Sequence, residues 1–193
     1  MTSETRSPDV RVIDVPGLPR FEIAPHHCFA CGTLNAHGIR LDLHVERGRS
    51  WAELALQPRF QGWDGIIHGG IVATILDEVM AWALVGEDSW GLTARLAIDF
   101  KKPVRVDQRI RAEGWITRSR RRIVDTEARL TDASTGEALA TATGLYMAAD
   151  EDRKRELRAR YGWRRLDDPT PQDGASPNHR ATAATPTTVD SPA

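Results

Sequence analysis

The hydrophobic and polar positions of the chain change their period several times, and each period predicts a type of element. Residues 70–85 are apolar on nearly every side over a helical length, with no proline and no interior glycine. A helix that is hydrophobic on all sides is typically a buried helix. Four longer segments after it have strand character, with a turn at 134–136 before the last. These segments are 92–101, 108–118, 123–131 and 137–147.

Two shorter strand patterns come before the helix. Residues 39–46 alternate apolar and polar positions, residues 51–56 do so less cleanly, and Gly48 predicts a turn between them. Residues 57–65 contain proline and glycine and predict a loop. Two strands, one buried helix and an antiparallel meander predict an α+β fold. We expect one long buried helix wrapped by a curved antiparallel sheet of about five to six strands.

The ends of the chain differ from this middle part. Residues 1–24 carry prolines and no sustained period, which predicts an irregular N-terminal arm before a domain at 25–149. Residues 150–165 are charge-dense, with acids first and bases last, which favours a short solvated helix. Residues 166–193 contain five of the eleven prolines, and their composition predicts a disordered tail.

Composition and charge narrow the choice of partners. The chain has 193 residues, 40% of them hydrophobic, and 26 basic against 27 acidic side chains give a net charge of -1. This balance gives no reason to expect nucleic acid or an anionic membrane as a partner. No apolar run approaches the roughly 20 residues of a membrane span, and residues 1–15 lack a secretory pattern. We expect a single cytoplasmic domain.

The start of the buried helix is the first candidate for chemistry. Gly69 and Gly70 open the helix, where backbone N–H groups are unpaired and the dipole favours negative charge. Two glycines also let a substrate carbonyl approach the main chain, as an oxyanion in acyl transfer requires. The same pair permits a tight turn into the helix without any such function. His68 suits a helix cap or a residue that fixes the loop by a hydrogen bond.

Asp77 is the second candidate. A carboxylate in an apolar helix is costly unless it is paired or used in a reaction, so Asp77 is either functional or bound by strand N–H groups or an arginine. Glu78 points about 100° away around the helix, which makes it the weaker catalytic candidate.

The helix geometry constrains how these two candidates combine. At about 1.5 Å rise per residue, Asp77 lies roughly 12 Å along the helix from the Gly69 amide. Groups that act on one carbon must lie near 3 Å from it. A shared site therefore takes Gly69 from one subunit and Asp77 from another, which predicts a homodimer with antiparallel helices.

A Cys-x-x-Cys pair lies near the N-terminus. Cys28 and Cys31 follow the pair His26-His27, and these histidines with His37 could complete a zinc site. However, a zinc site usually contains two such cysteine pairs, and this sequence has only one. The flanking proline and glycine do not suggest the strand and helix of a redox motif. The favoured interpretation is two reduced cysteines that pack as small hydrophobic side chains, with no metal bound.

One segment resembles a known family. Residues 63–78, which contain His68-Gly69-Gly70 nine positions before the acidic pair, are similar to the active-site segment of hotdog-fold thioesterases. The similarity is strongest to the phenylacetate type and the human thioesterase-superfamily-member type. Residues 99–104 resemble the strand end and proline that follow in that family, and residues 28–32 resemble an N-terminal signature of one branch. The resemblance covers about 120 of the 193 residues.

This resemblance implies a hotdog fold and the hydrolysis of an acyl-CoA thioester to a free acid and CoA, with no cofactor. It implies that Asp77 is the general base for a water, or else a nucleophile that forms a mixed anhydride. His68 would have a structural or carbonyl-orienting role, and Gly69 would bind the oxyanion. Thr93 matches a Ser or Thr that positions water, although a β-branched strand residue needs no such role. The family usually assembles its dimers into tetramers.

The remaining candidates concern substrate binding. Some relatives carry an Asn six residues before the histidine, where this chain has Gly62, so Gln61 could substitute or the backbone could act alone. Gly70 and Glu78 are the other two candidate substrate-binding residues near the acyl group.

For the CoA phosphates, the arginine-rich run 118–122 lies at a predicted hairpin, and Arg120 and Arg121 are its best candidates. Hairpin tips are also charged for solubility alone. Lys101 and Lys102 are rivals for the phosphates.

Two other function classes stay open on the sequence. A hotdog enoyl-CoA hydratase would need a catalytic Asp and His, and the core segment offers only His68. A non-catalytic acyl-CoA sensor would have no reason to bury Asp77, and neither end of the chain shows a helix-turn-helix pattern.

Overall fold

The computed structural model describes residues 10–166. Within these residues, two α-helices, α1 (Gly69–Val85) and α2 (Glu151–Arg160), lie among eleven strands, and neither α-helix is long and apolar enough to cross a membrane. The first six strands are β1 (Arg11–Ile13), β2 (Phe21–Ile23), β3 (His44–Glu46), β4 (Arg49–Ala55), β5 (Gln61–Trp63) and β6 (Ile66–Ile67). The other five are β7 (Gly91–Phe100), β8 (Arg109–Arg120), β9 (Ile123–Asp132), β10 (Ala138–Ala148) and β11 (Trp163–Arg165).

The main sheet has six strands in the order β3-β4-β8-β9-β10-β7, and all its pairings are antiparallel. Helix α1 packs against one face of this sheet, so the predicted α+β class and the predicted strand number are confirmed. The four long strands predicted after the helix correspond to β7–β10, and α1 begins one residue before its predicted start. These elements were predictable because their hydrophobic periods extend over ten residues or more.

Helix α1 lies unusually close to strand β8. A Cβ atom added at Gly114 would lie 2.7 Å from the Met80 amide nitrogen and 2.7 Å from the Val79 carbonyl group. The hydroxyl of Ser50, on the neighbouring strand β4, donates a 2.6 Å hydrogen bond to the Val79 carbonyl oxygen. The helix buries eight side chains in the core, namely Val72, Ile75, Leu76, Val79, Met80, Trp82, Ala83 and Leu84.

The strand predicted over residues 39–46 is wrong in its first part, because β3 contains only His44–Glu46. Arg40 has a φ of 60°, which interrupts an extended backbone. The Ile39 and Leu41 amides instead donate to the carbonyl groups of Phe29 and Ala30. The alternating pattern here reflects packing of a loop, which periodicity alone does not distinguish from a strand.

The predicted loop at 57–65 has more structure than expected. It contains a 3-10 turn at Pro58–Phe60 and strand β5, which pairs with β6 in a small hairpin. Both elements are only two or three residues long, so no period could reveal them.

The prediction of an irregular N-terminal arm is wrong for residues 10–24. Strand β2 pairs with β1 on one side and with β11 on the other, so the two ends of the described chain form one small sheet. Trp163 of β11 lies against the rings of Phe21, Trp82 and Trp90, with ring centroids 4.0–6.1 Å apart. Pairing across some 140 residues leaves no local signal in the sequence.

The charged segment predicted at 150–165 is a helix only as far as Arg160, because its last residues form β11. Asp150 caps α2 by accepting from the Arg153 amide. The helix is mostly exposed, as predicted, but Lys154 is buried and donates a 2.8 Å hydrogen bond to the Asp88 carbonyl oxygen. Of the tail predicted at 166–193, all but the first residue lies outside the described residues.

The contact at Gly114 generates the first testable prediction. Gly114→Ala should lower the free energy of unfolding by about 1–3 kcal/mol, because the new methyl group meets helix backbone that cannot move aside cheaply. Urea denaturation measures the change. Glu127→Ala, an exposed position on β9, is the control and should change stability by less than about 0.5 kcal/mol. Equal stability of the two variants would contradict the close approach of α1 to the sheet.

Candidate functional site

Two hydroxyl groups hold the carboxylate of Asp77 in the middle of α1. The Thr93 hydroxyl donates to Asp77 Oδ1 at 2.8 Å, and the Tyr146 hydroxyl donates to the same oxygen at 2.7 Å. The Tyr146 hydroxyl also lies 2.9 Å from the Asp77 carbonyl oxygen. Thr93 and Tyr146 are register partners on the adjacent strands β7 and β10, which brings both hydroxyls to one carboxylate.

The sequence reasoning missed Tyr146. Burial, followed by the negative charge of Asp77, raises the pKa of the Tyr146 hydroxyl, so it stays protonated and donates at neutral pH. Its side chain is fully buried and lies on the core-facing side of β10 with Ala142 and Gly144. A tyrosine on the apolar face of a strand was the available signal, because a buried phenol needs a hydrogen-bond partner. That the partner is Asp77 follows only from the sheet order.

The start of α1 is capped by a side chain. His68 has extended backbone, and its Nδ1 accepts a 2.9 Å hydrogen bond from the Gly70 amide. The interpretation of His68 as a helix cap is therefore confirmed. Among the hydrogen bonds of residues 10–166, none uses the Gly69 amide. Of the two glycines, Gly69 is thus the one whose N–H can bind another group.

A cleft of about 520 Å³ opens beside Gly69. Its walls are mainly apolar and include Val72 and Ala140, while Trp63 and Phe100 are exposed at its edge. Two cations also line the cleft, Lys101 and Lys102. Lys102 is paired with Glu137, and within the described part of the chain no ion pair involves Lys101. The cleft offers an apolar surface, a free amide and a positive charge.

Within one chain, the structure does not bring Gly69 and Asp77 together. A Cβ atom at Gly69 would lie 3.5 Å from the ring of Phe100, at the end of β7. Asp77 is bound to Thr93, near the start of the same strand. The two candidates therefore lie toward opposite ends of β7, as the length of the helix between them requires.

The predicted substrate-binding residues lie in several places. Gln61 accepts a 3.2 Å hydrogen bond from the Gly65 amide and so closes the β5–β6 turn. Arg120 and Arg121 are exposed at the tip of the β8–β9 hairpin, where Arg121 has a φ of 53°. The pairings of Arg120 with Ile123, Ile123 with Met147 and Met147 with Leu92 place this tip at the same end of the sheet as the start of β7.

Glu78 has partners different from those of Asp77. Its Oε1 accepts a 2.8 Å hydrogen bond from the Trp82 indole N–H, and the Cys28 sulfur lies 3.9 Å from the same oxygen. Burial, and to a lesser degree the charge of Cys28, raises the pKa of Glu78 to about 7. The structure thus places Glu78 among the cysteines and away from the hydroxyls that hold Asp77.

The two cysteines form a cluster with this carboxylate. One donor atom from each of Cys28, Cys31 and Glu78 can be chosen such that all lie within 4.8 Å of one another. His26 Nε2 lies 4.0 Å from the Cys31 sulfur. The interpretation of two packed thiols accounts for the burial of Cys31 but omits Glu78, which comes from a helix some 50 residues away. Spacing within the sequence could not reveal that contact.

Comparison with known proteins agrees with this fold. Residues 64–139 match the family model of the thioesterase superfamily. No curated protein sequence matches the chain. A solved thioesterase superfamily protein is 24% identical with a TM-score of 0.59, and the match covers 63% of each chain.

Two further solved structures are also similar in fold. The first is a hypothetical thioesterase from Streptococcus pneumoniae with coenzyme A, at 16% identity and a TM-score of 0.54, covering 56% of this chain and 84% of that one. The second is the E. coli PaaI protein from the phenylacetic acid degradation operon, at 14% identity and a TM-score of 0.53. That match covers 55% of this chain and 82% of the other. Fold and family model agree: the main sheet with helix α1 has the hotdog fold, and residues 64–139 are similar to the thioesterase superfamily.

Proposed function

We propose that this protein is an acyl-CoA thioesterase that hydrolyses its substrate to a free acid and CoA. The observation that carries the proposal is the Asp77 carboxylate, which Thr93 and Tyr146 orient on a hotdog domain that is similar to the thioesterase superfamily. The coenzyme A in the S. pneumoniae structure supports a CoA ester as the substrate class.

Asp77 is the general base in this proposal. Both hydroxyl donors use Oδ1, and no hydrogen bond among the described residues uses Oδ2. Oδ2 is therefore available to a water, whose proton it accepts as the water oxygen attacks the thioester carbon. The two donors fix the direction of the carboxylate and therefore the position of the bound water. This position matters because the water oxygen must lie within about 3–3.5 Å of the thioester carbon.

The Gly69 amide stabilises the charge that develops on the thioester oxygen. The amide has a free N–H at the N-terminus of α1, where the helix dipole adds positive potential. The tetrahedral intermediate collapses by breaking the C–S bond. The CoA sulfur leaves with the electron pair and takes the proton from Asp77, which regenerates the carboxylate.

The distance between these groups requires a second subunit. Strand β7 is an edge of the main sheet, and most of its ten side chains are exposed, including Leu92 at 78% and Phe100 at 57%. A long exposed edge strand is prone to pair with another chain. In our proposal β7 pairs with β7 of a second copy around a two-fold axis.

This arrangement brings the required groups together. Antiparallel pairing of two β7 strands sets the Phe100 end of each against the Thr93 end of the other. Gly69 lies at the Phe100 end and Asp77 at the Thr93 end, so each site combines the Gly69 of one subunit with the Asp77 of the other. The two α1 helices then run antiparallel on the same side of a continuous sheet.

The CoA phosphates have two candidate cation sets. Arg120 and Arg121 at the hairpin tip lie at the same end of the sheet as the start of β7, and this end faces the partner's cleft in this dimer. Lys101 lies in the cleft itself. We propose the arginines for the phosphates, because a guanidinium group can bind a phosphate through two hydrogen bonds.

The hydratase alternative has less support. It would need a histidine that reaches the substrate, and His68 Nδ1 is occupied by the Gly70 amide. No observation among the described residues favours it over hydrolysis.

Asp77→Asn should lower kcat for acyl-CoA hydrolysis by about 100- to 10,000-fold, because an amide cannot accept the proton of the attacking water. Release of free CoA thiol from short, long and aromatic acyl-CoAs measures the rate. Glu127→Gln, which removes a carboxylate from the outer face of the sheet, is the control and should keep full activity. Near-wild-type turnover by a folded Asp77→Asn protein would refute the proposed base.

Tyr146→Phe should lower kcat by about tenfold and leave KM unchanged, because the hydroxyl orients Asp77 and does not touch the substrate. The lost hydrogen bond should cost about 1–2 kcal/mol in the free energy of unfolding. Steady-state kinetics and urea denaturation measure the two effects. A change in KM alone would assign Tyr146 to substrate binding instead.

Mixing two inactive proteins tests the shared site. Asp77→Asn and Gly69→Pro should each be nearly inactive, the second because it removes the proposed oxyanion donor. A mixed dimer has one site with both defects and one with neither, so its activity should reach about half the wild-type value. Subunit exchange followed by the thiol-release assay measures the recovery.

The structure indicates that the Gly69→Pro variant can fold and is suitable for this test. Gly69 is the first residue of α1, where proline is tolerated, and the preceding His68 already has the extended backbone that proline requires. Light scattering first establishes that wild type and mixed protein are dimeric or larger. Verified mixed dimers that stay inactive would show that the two residues do not share a site across subunits.

A further inference from the structure

The turn that carries the two cysteines is tightly built. The Gly32 amide donates a 3.0 Å hydrogen bond to the Cys28 carbonyl oxygen and closes the turn. A Cβ atom at Gly32 would lie 2.3 Å from the His26 carbonyl oxygen and 2.5 Å from the Cys28 amide nitrogen, so only glycine fits there. The turn therefore fixes the positions of Cys28 and Cys31 relative to each other.

The turn brings both sulfurs close to helix α1. One donor atom from each of Cys28, Cys31 and Glu78 lies within 4.8 Å of the other two. The thiolate is the form of cysteine that binds metals.

The groups around the sulfurs have the spacing of metal ligands. In a tetrahedral zinc site, a sulfur and a nitrogen or oxygen ligand lie about 3.6 Å apart, given Zn–S near 2.3 Å and Zn–N or Zn–O near 2.1 Å. The Cys28 sulfur lies 3.9 Å from Glu78 Oε1, and the Cys31 sulfur lies 4.0 Å from His26 Nε2. Both separations exceed this value by only a few tenths of an ångström.

We propose that His26, Cys28, Cys31 and Glu78 form a zinc site that joins the N-terminal turn to helix α1. Two thiolates with an imidazole and a carboxylate are a donor set that suits zinc, and four protein ligands make the site closed and structural. The Cys28 thiol donates a 3.9 Å hydrogen bond to Glu78 Oε1, and a bound cation would take the place of the thiol proton between the two groups.

The surroundings of the other two ligands support the assignment. His26 Nε2 lies 4.0 Å from the Cys31 sulfur, so one ring nitrogen is already beside the cluster. Ligation through Nε2 places the proton on Nδ1, so the 3.3 Å hydrogen bond from the Cys28 amide to Nδ1 is given up. The Trp82 indole N–H holds Glu78 in place, as outer partners of metal ligands commonly do.

Metal analysis of the full chain tests the site. The reduced protein, equilibrated with zinc and then desalted, should retain about one zinc per chain by mass spectrometry. With cobalt in place of zinc, it should show the visible bands of tetrahedral cobalt and a near-ultraviolet thiolate-to-cobalt transition. Chelation should lower the melting temperature by about 5 °C or more, and added zinc should restore it.

Matched variants separate the ligands from their neighbours. Glu78→Gln keeps the acceptor for Trp82 but should weaken zinc binding by at least about tenfold, whereas Asp77→Asn on the same helix should keep the zinc. His26→Ala should likewise weaken binding, while the adjacent exposed His27→Ala should not. Cys31→Ser should lower the intensity of the thiolate transition of the cobalt protein by about half or more, because only Cys28 still supplies a sulfur.

The wild-type measurements decide the proposal even if a cysteine variant fails to fold. Wild type that binds neither zinc nor cobalt after reduction would overturn the proposal. The same holds if the protein is isolated with a Cys28–Cys31 disulfide and binds no metal once that disulfide has been reduced. An unchanged cobalt spectrum in Glu78→Gln would remove Glu78 from the site, and with it the link to α1. The metal readouts do not depend on thioesterase activity.

Discussion

The close contact between helix α1 and the main sheet determines where the functional groups of this protein lie. Gly114 lets the helix backbone approach strand β8 at Val79 and Met80, and the Ser50 hydroxyl binds the Val79 carbonyl oxygen from strand β4. A backbone contact of this kind fixes the depth and the rotation of the helix together. Because interiors are close-packed, a helix held at one point cannot rotate elsewhere without opening voids. The directions of Asp77 and Glu78 follow from this contact.

The fixed rotation gives two consecutive carboxylates different surroundings. Asp77 points toward β7 and β10, where Thr93 and Tyr146 bind it through hydroxyl groups. Glu78, about 100° around the helix, points toward Trp82 and the cysteine turn. Hydroxyl donors orient a carboxylate and leave one oxygen for water, whereas thiols and an imidazole are partners that suit a metal. In our proposals, one helix therefore supports both a reaction and a structural cation.

The edge of the sheet carries the second half of the proposed reaction site. Gly69 offers its free amide at the Phe100 end of β7, and the carboxylate lies at the Thr93 end. A helix cannot shorten this separation, so in our proposal a single chain holds two half-sites. The exposed side chains of β7 and the apolar cleft beside Gly69 are then parts of one surface. Pairing of two such surfaces would bury apolar area and complete two sites at once.

Local sequence patterns by themselves determined the long elements and the position of Asp77 on α1. Helix α1 and strands β7–β10 have periods long enough to identify, and the glycine pair marks the helix start with His68 as its cap. Only the tertiary structure decided the partners: Tyr146 for Asp77, the cysteine turn for Glu78, and β11 for the N-terminal strands. Hydrophobic period is set by neighbours within one element. Contacts between distant elements depend on sheet order and helix rotation, which only packing of the folded chain fixes.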